Sequence, residues 1–183
     1  IEVEVFVHGA LCMSYSGQCL MSSFIGKRSG NQGECAQPCR LPYSLKENGK
    51  VVLKDKYLLS TKDLNTIEEL HTILDAGADS LKIEGRLKTE YYLATVVKAY
   101  RDAIDSYFEN GEKYEFDPLY LDELKKVSHR DYTTGFYFNK PGGGEQNYET
   151  SSYIRNYELL GIVDGYDEKE AEKTAKRMQQ GKF

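Results

Sequence analysis

Apolar positions near the start of the chain fall on every second residue: Val3, Val5 and Val7 alternate with Glu2, Glu4, Phe6 and His8. A period of two with β-branched residues predicts a strand over 2–8 that ends at Gly9. Asn48-Gly49 between Tyr43-Ser44-Leu45 and Val51-Val52-Leu53 predicts a hairpin, because both central residues of that tight turn need positive φ. Tyr57–Ser60 reads as a further strand. The period then changes to that of a helix. Ile67, Leu70, Ile73 and Leu74 predict a helix over 66–76, with Thr66 as N-cap, Glu69 three residues on and Gly77 as its stop. A strand over 80–84 ended by Gly85 and a long helix over 89–110 closed by Gly111 follow. The order matches successive units of a parallel α/β structure.

After Pro118 the elements shorten: a helix over 121–127, an aromatic strand over 132–138 and a flexible linker at Pro141-Gly142-Gly143-Gly144. Leu159–Val163 is an apolar strand candidate, and the charged stretch 168–180 is helix-prone. This divides the chain into a unit over 1–140 and a linker with the beginning of a second domain over 141–183. Because Ile1 already stands inside a strand-like run, the chain reads as a piece of a longer polypeptide.

Composition narrows the class. At 183 residues and 40% hydrophobic content the chain can bury one substantial core. A net charge of −5 argues against a broad surface that coats nucleic acid, and no apolar run is long enough to span a bilayer.

All four cysteines lie in the first 39 residues, as Cys12, Cys19, Cys35 and Cys39 in the frame C-x6-C-x15-C-x3-C. The segment between them is rich in Gly, Ser, Gln and Asn, with its clearest turn at 29–33, so loop or short helix is expected there. Soft thiolates gathered on a loosened segment are what a metal ion or an iron–sulfur cluster requires. A zinc site is a second reading, although only Cys35 and Cys39 approach the short knuckle spacing zinc favours. Two disulfides are a third, with nothing else in the chain pointing to secretion. Four reduced thiols without a ligand complete the set.

Polar residues at strand ends form a second constellation: Glu4 and His8 on the first strand, Ser60 to Asp63 with Lys62 among them, and Lys82, Glu84 and Arg86 around Gly85. In an α/β barrel this is where active sites stand. The alternative is a salt-bridge network joining Glu4 to Lys82 or Arg86. His8 is as readily a hydrogen-bonded structural histidine as a catalytic one. Lys27, Arg28, Arg40, Arg86 and Lys88, with Tyr15 and Tyr43, could hold RNA by charge and stacking. Neither an H-E-x-x-H helix nor a G-x-S-x-G elbow is present.

The run Glu4-x-Phe6-x-His8-Gly9-Ala10-Leu11-Cys12-Met13-x-Tyr15-Ser16-Gly17-x-Cys19 resembles the signature of the collagenase-like peptidase family of unassigned catalytic type. Asn31-Gln32-Gly33-x-Cys35-Ala36-Gln37-Pro38-Cys39-Arg40 resembles its second cysteine block, with Gln32 where members often carry Arg. Ser80–Arg86 and Asp131–Phe136 resemble two more blocks, so the likeness covers about residues 1–165.

The resemblance implies an α/β fold: the second half of a (β/α)8 TIM-like barrel with the start of a small C-terminal β domain. It also implies that Cys12, Cys19, Cys35 and Cys39 hold a [4Fe–4S] cluster. Family members include proteins that hydroxylate a tRNA wobble uridine or a ribosomal cytidine, with prephenate implicated as co-substrate. On that reading the protein is cytoplasmic. Glu4, His8, Lys82, Glu84 and Arg86 line a catalytic pocket, and Arg40 and Lys62 bind substrate. The rival readings are a peptidase acting on collagen-like or other peptides, and an inert interaction fragment. A half-barrel also leaves strand edges open for self-association.

Overall fold

The computed structural model describes residues 1–15, 17–140, 142–161, 165 and 167–179. Strand β1 (Glu4–Ala10) leads into the cysteine segment, which holds helix α1 (Met21–Gly26) and single 3-10 turns at 30–32 and 38–40. Strands β2 (Tyr43–Glu47) and β3 (Lys50–Lys56) form the expected hairpin, with Asn48 at φ 50° and Gly49 at φ 79°. Then come β4 (Asp63–Asn65), α2 (Leu70–Asp75), β5 (Ser80–Ile83), α3 (Glu90–Asn110), α4 (Pro118–Lys126), β6 (Tyr132–Thr133) and α5 (Glu168–Gln179).

Four strands form one open sheet in the order β5-β1-β4-β6. The pairs β1–β5 and β4–β6 are parallel, whereas β1–β4 is antiparallel. The described strands thus form a mixed sheet with two free edges, and the barrel implied by the resemblance stays an expectation.

Helix α3 covers one face of the sheet. Thr89 caps it by accepting from Tyr92 N at 3.2 Å. Tyr92, Val96, Ala99, Tyr100 and Ala103 recur at helical spacing, are all buried, and pack with Val7, Ile67, Leu70 and Leu124. Burying each of the larger apolar side chains contributes about 1.5–3 kcal/mol, so this stripe fixes the helix to the sheet. Asp117 caps α4 by accepting from Leu119 N at 2.9 Å, with Pro118 in the first turn where its missing N–H costs nothing.

Several expectations are corrected. Residues 57–60 make a turn, with Ser60 N donating to Tyr57 O at 3.1 Å, and the strand follows at 63–65. Helix α2 starts at Leu70 because Thr66 does not cap it: its hydroxyl donates to Val7 O at 3.1 Å, across to β1. The aromatic run 132–138 is strand only at Tyr132–Thr133, since Gly135 at φ 60° turns the chain. The glycines after Pro141 form a 3-10 turn at 143–145, while Pro141 itself lies outside the described residues. Residues 159–161 carry no regular element, and the remainder of that strand candidate also lies outside them.

The segment after the glycines returns to the sheet. Asn147 N donates to Ser60 O at 2.7 Å, and His129 and Ile154 exchange backbone hydrogen bonds.

Candidate functional site

β1 delivers the chain at Leu11, and the next 28 residues fold back so that all four cysteines line one cavity of about 850 Å³. Phe6, Lys82, Glu84 and Phe136 complete much of its wall. All four thiols are free, so the disulfide reading is not realised. Two sulfurs accept backbone N–H bonds in the same i to i+2 pattern. Ser14 N donates to Cys12 Sγ at 3.5 Å, and Gln37 N donates to Cys35 Sγ at 3.3 Å. Such bonds favour a thiolate and tune a bound group. Burial pushes the Cys39 thiol up, Arg40 beside it pulls it down, and the three other cysteines push it up again. The four sulfurs therefore lie within electrostatic reach of one another. Among the described residues, no three His, Cys, Asp or Glu side chains are gathered closely enough to hold a single metal ion.

Arg40 anchors this segment. Its guanidinium donates to Leu11 O at 2.9 Å, to Ser60 Oγ at 3.1 Å and to Thr61 O. Thr61 Oγ1 donates to the same Leu11 carbonyl at 2.8 Å. Tyr43 Oη donates to Pro38 O at 2.8 Å, and the buried Ser22 Oγ accepts from Ala36 N at 2.9 Å. The predicted substrate residue Arg40 is thus a clamp on the cysteine loop. Lys62 pairs through its backbone, its N donating to Glu145 O at 3.0 Å.

The five residues expected around one pocket separate. Lys82 and Glu84 do line the cysteine cavity. Glu84 Oε1 accepts from Arg86 N at 2.9 Å, and the Arg86 guanidinium lies against Gly33, where an added Cβ would collide with it. Glu4 is exposed at the start of β1 and accepts from Ser80 Oγ at 3.2 Å. No ion pair joins Glu4 to Lys82 or Arg86 among the described residues, so the expected network is not formed.

His8 is the largest departure. The β1–β5 register slips between Phe6 and His8, so alternation fails and Val7, His8 and Gly9 are all buried. The imidazole stands among Tyr92, Tyr100 and Tyr132 rather than in the cysteine cavity. Burial, then Lys88, then His129 lower its pKa to about 3, so it is neutral.

A group without local sequence signature packs nearby. Asp63 and Arg130 form a buried ion pair at 3.4 Å, with Asp63 Oδ2 also accepting from Arg130 N at 3.0 Å. Lys88 Nζ donates to Ser128 O at 2.8 Å and lies over the Tyr153 ring at 3.9 Å, with Arg130 over the same ring at 4.1 Å. Burial brings the Lys88 pKa down to about 8. Residues 67 positions apart meet here, so only the folded sheet could reveal them.

Comparison with known proteins follows this geometry. The model of peptidase family U32 matches residues 1–147, which includes every cysteine. A tRNA hydroxylation protein of Bacillus subtilis is 39% identical over 175 residues, covering 92% of this chain and 42% of that protein. A 23S rRNA 5-hydroxycytidine synthase of Escherichia coli is 36% identical over 159 residues, covering 83% of this chain and 24% of that protein. A collagenase of Porphyromonas gingivalis is 36% identical over 175 residues, covering 90% of this chain and 48% of that protein. The chain therefore spans less than half the length of these relatives. No solved structure matches it. On the match through all four cysteines and most of its length, the chain belongs to peptidase family U32.

Proposed function

We propose that this chain is the cysteine-bearing part of an RNA hydroxylation enzyme that uses an iron–sulfur cluster. The carrying observation is the convergence of Cys12, Cys19, Cys35 and Cys39 on one cavity shared with Lys82 and Glu84. Relatives named for tRNA hydroxylation and 5-hydroxycytidine synthesis support the reaction class.

The donor set fits a cubane better than one zinc ion. Zinc bonded to sulfur at 2.3 Å in a tetrahedron would bring the sulfurs to about 3.8 Å from each other. No such tight set exists among the described residues. A four-iron cluster takes one thiolate on each iron, so its ligands stand farther apart. The N–H bonds to Cys12 and Cys35 supply the environment that anionic sulfur needs. When bound, the cluster would supply electron-transfer or Lewis-acid chemistry at this wall. The chain's own residues do the rest: Lys82 offers a cation to an anionic co-substrate such as prephenate, and Phe6 and Phe136 offer apolar surface.

In proteins of the relatives' length, the open sheet is proposed to be one sector of a barrel with the cavity at its mouth, acting in the cytoplasm. The test is iron and sulfide analysis of anaerobically prepared protein together with mass spectrometry of RNA from cells lacking it. Four irons per chain and a lost hydroxyl group are expected. Stoichiometric zinc, or unchanged RNA, overturns the reading.

The collagenase name of one relative favours a peptidase as second reading. Its weakness is the lack of a nucleophile beside a base. Among the described residues, His8 bonds a tyrosine in the core and His71 bonds only the adjacent, exposed Thr72. Peptide cleavage that survives Cys12→Ala, Cys19→Ala, Cys35→Ala and Cys39→Ala together would favour it.

A further inference from the structure

Two buried polar atoms outside the cysteine cavity, His8 Nε2 and Asn65 Nδ2, have no hydrogen-bond partner among the described residues. They belong together. His8 and Asn65 are direct partners in the antiparallel β1–β4 ladder. Such partners share one face, with Cβ atoms about 4.5–5.5 Å apart. His8 is 1% exposed and Asn65 7%, so water does not reach them freely.

The rest of each side chain is committed. Asn65 Oδ1 accepts from Ile67 N at 3.0 Å, which orients the amide and leaves Nδ2 as an unmet donor. The Tyr100 hydroxyl donates to Val7 O at 2.9 Å and accepts from Thr66 N at 3.2 Å. With that proton committed, Tyr100 Oη receives His8 Nδ1–H at 3.4 Å, and this tautomer leaves Nε2 as a bare acceptor.

An unmet donor beside an unmet acceptor selects among ligand groups. A carbonyl or carboxylate oxygen satisfies Asn65 but turns lone pairs toward Nε2. An ammonium satisfies His8 but turns hydrogens toward Asn65. A hydroxyl satisfies both, accepting from one and donating to the other. Asn65 also lines a second cavity of about 540 Å³, bounded by His129, Tyr132, Thr134 and Tyr157. That volume lies in the range of small-ligand sites.

We propose that His8 and Asn65 form a hydroxyl seat that receives a ribose 2′-hydroxyl of RNA through this cavity. The proposal rests on the RNA reading above. The 2′-hydroxyl is both donor and acceptor, and it is the group by which a protein distinguishes RNA from DNA.

The test measures binding of a short single-stranded RNA, the DNA of identical sequence and the 2′-O-methyl RNA, while NMR follows the His8 Nε2 resonance of the unaltered protein. RNA should bind about tenfold more tightly than DNA or methylated RNA and alone should shift that resonance. Asn65→Leu should erase the preference while leaving DNA binding unchanged. Equal binding of all three, or a preference that survives Asn65→Leu, overturns the seat. If no nucleic acid binds, the RNA reading fails, and free ribose then decides the seat itself. A His8 Nε2 shift with ribose upholds a hydroxyl site, and no shift overturns it.

Discussion

The Arg40 guanidinium donates to the Leu11 carbonyl across 2.9 Å, joining the residue after the last cysteine to the residue before the first. One side chain thus closes the loop that carries all four thiols, and it ties that loop to Ser60 and Thr61 as well. Arg40→Gln should lower the unfolding free energy by about 2–4 kcal/mol, because charged hydrogen bonds are lost and half-buried carbonyls are left unpaired. Arg40→Lys should recover only part of this, since one ammonium cannot span three partners. Thermal melting and iron bound after reconstitution are the readouts. Native melting together with full iron content would rule the clamp out.

Gly9 stands at φ 123° where β1 passes closest to β5, and an added Cβ would fall 2.6 Å from Glu84 O. Gly9→Ala is expected to cost roughly 2–3 kcal/mol, from the positive φ and the backbone overlap together. It should also displace Glu84 from the cysteine cavity. Urea denaturation tests the first effect, and a loss below 0.5 kcal/mol (about the size of a neutral surface change) would contradict it.

Asp63 and Arg130 retain 2% and 5% of their side-chain exposure, so neither can find water if the other is removed. Asp63→Asn should destabilise by about 3–5 kcal/mol. Pairing Asp63→Leu with Arg130→Met should cost less than either single change, because no buried charge is left without a partner. A double-mutant cycle by chemical denaturation measures the difference. Additive losses would contradict the coupling.

His8 makes stability depend on acidity. Its pKa falls from 6.5 in the unfolded chain to about 3 in the fold, because burial and then Lys88 and His129 oppose the charge. Between those values the unfolded chain binds a proton that the folded chain refuses. Stability from this group is therefore complete above about pH 6.5 and declines as pH falls toward 3, by roughly 1.4 kcal/mol per pH unit. His8→Gln should flatten that slope relative to the native protein, as read by denaturation at several pH values. Identical slopes would contradict it.

Features with a local cause were legible in the residues. The Asn48-Gly49 hairpin follows from the positive φ its turn requires, and α3 follows from a long apolar period between Thr89 and Gly111. The clustering of four thiols was likewise plain, and Lys82 and Glu84 could be assigned to one face of β5. Where a residue's best partner was distant, local rules misled. Thr66 has the form of a cap, yet its hydroxyl serves Val7, 59 residues away. Residues 57–60 have strand composition, but the ladder with β1 forms at 63–65, where Asp63, Leu64 and Asn65 are all buried.

The sequence by itself determined the ligand chemistry: four soft donors in one short segment, adjoining a strand, in a chain able to bury a core. Only the tertiary structure decided which charged residues share their cavity. A register slip after Phe6 carries His8 out of the alternation and into the tyrosine-lined core, opposite Asn65. Arg40 reaches Leu11 only once the loop has closed. The physical reason is that thiolate chemistry belongs to residue type, while side-chain direction depends on strand register, which is set by pairing between distant segments.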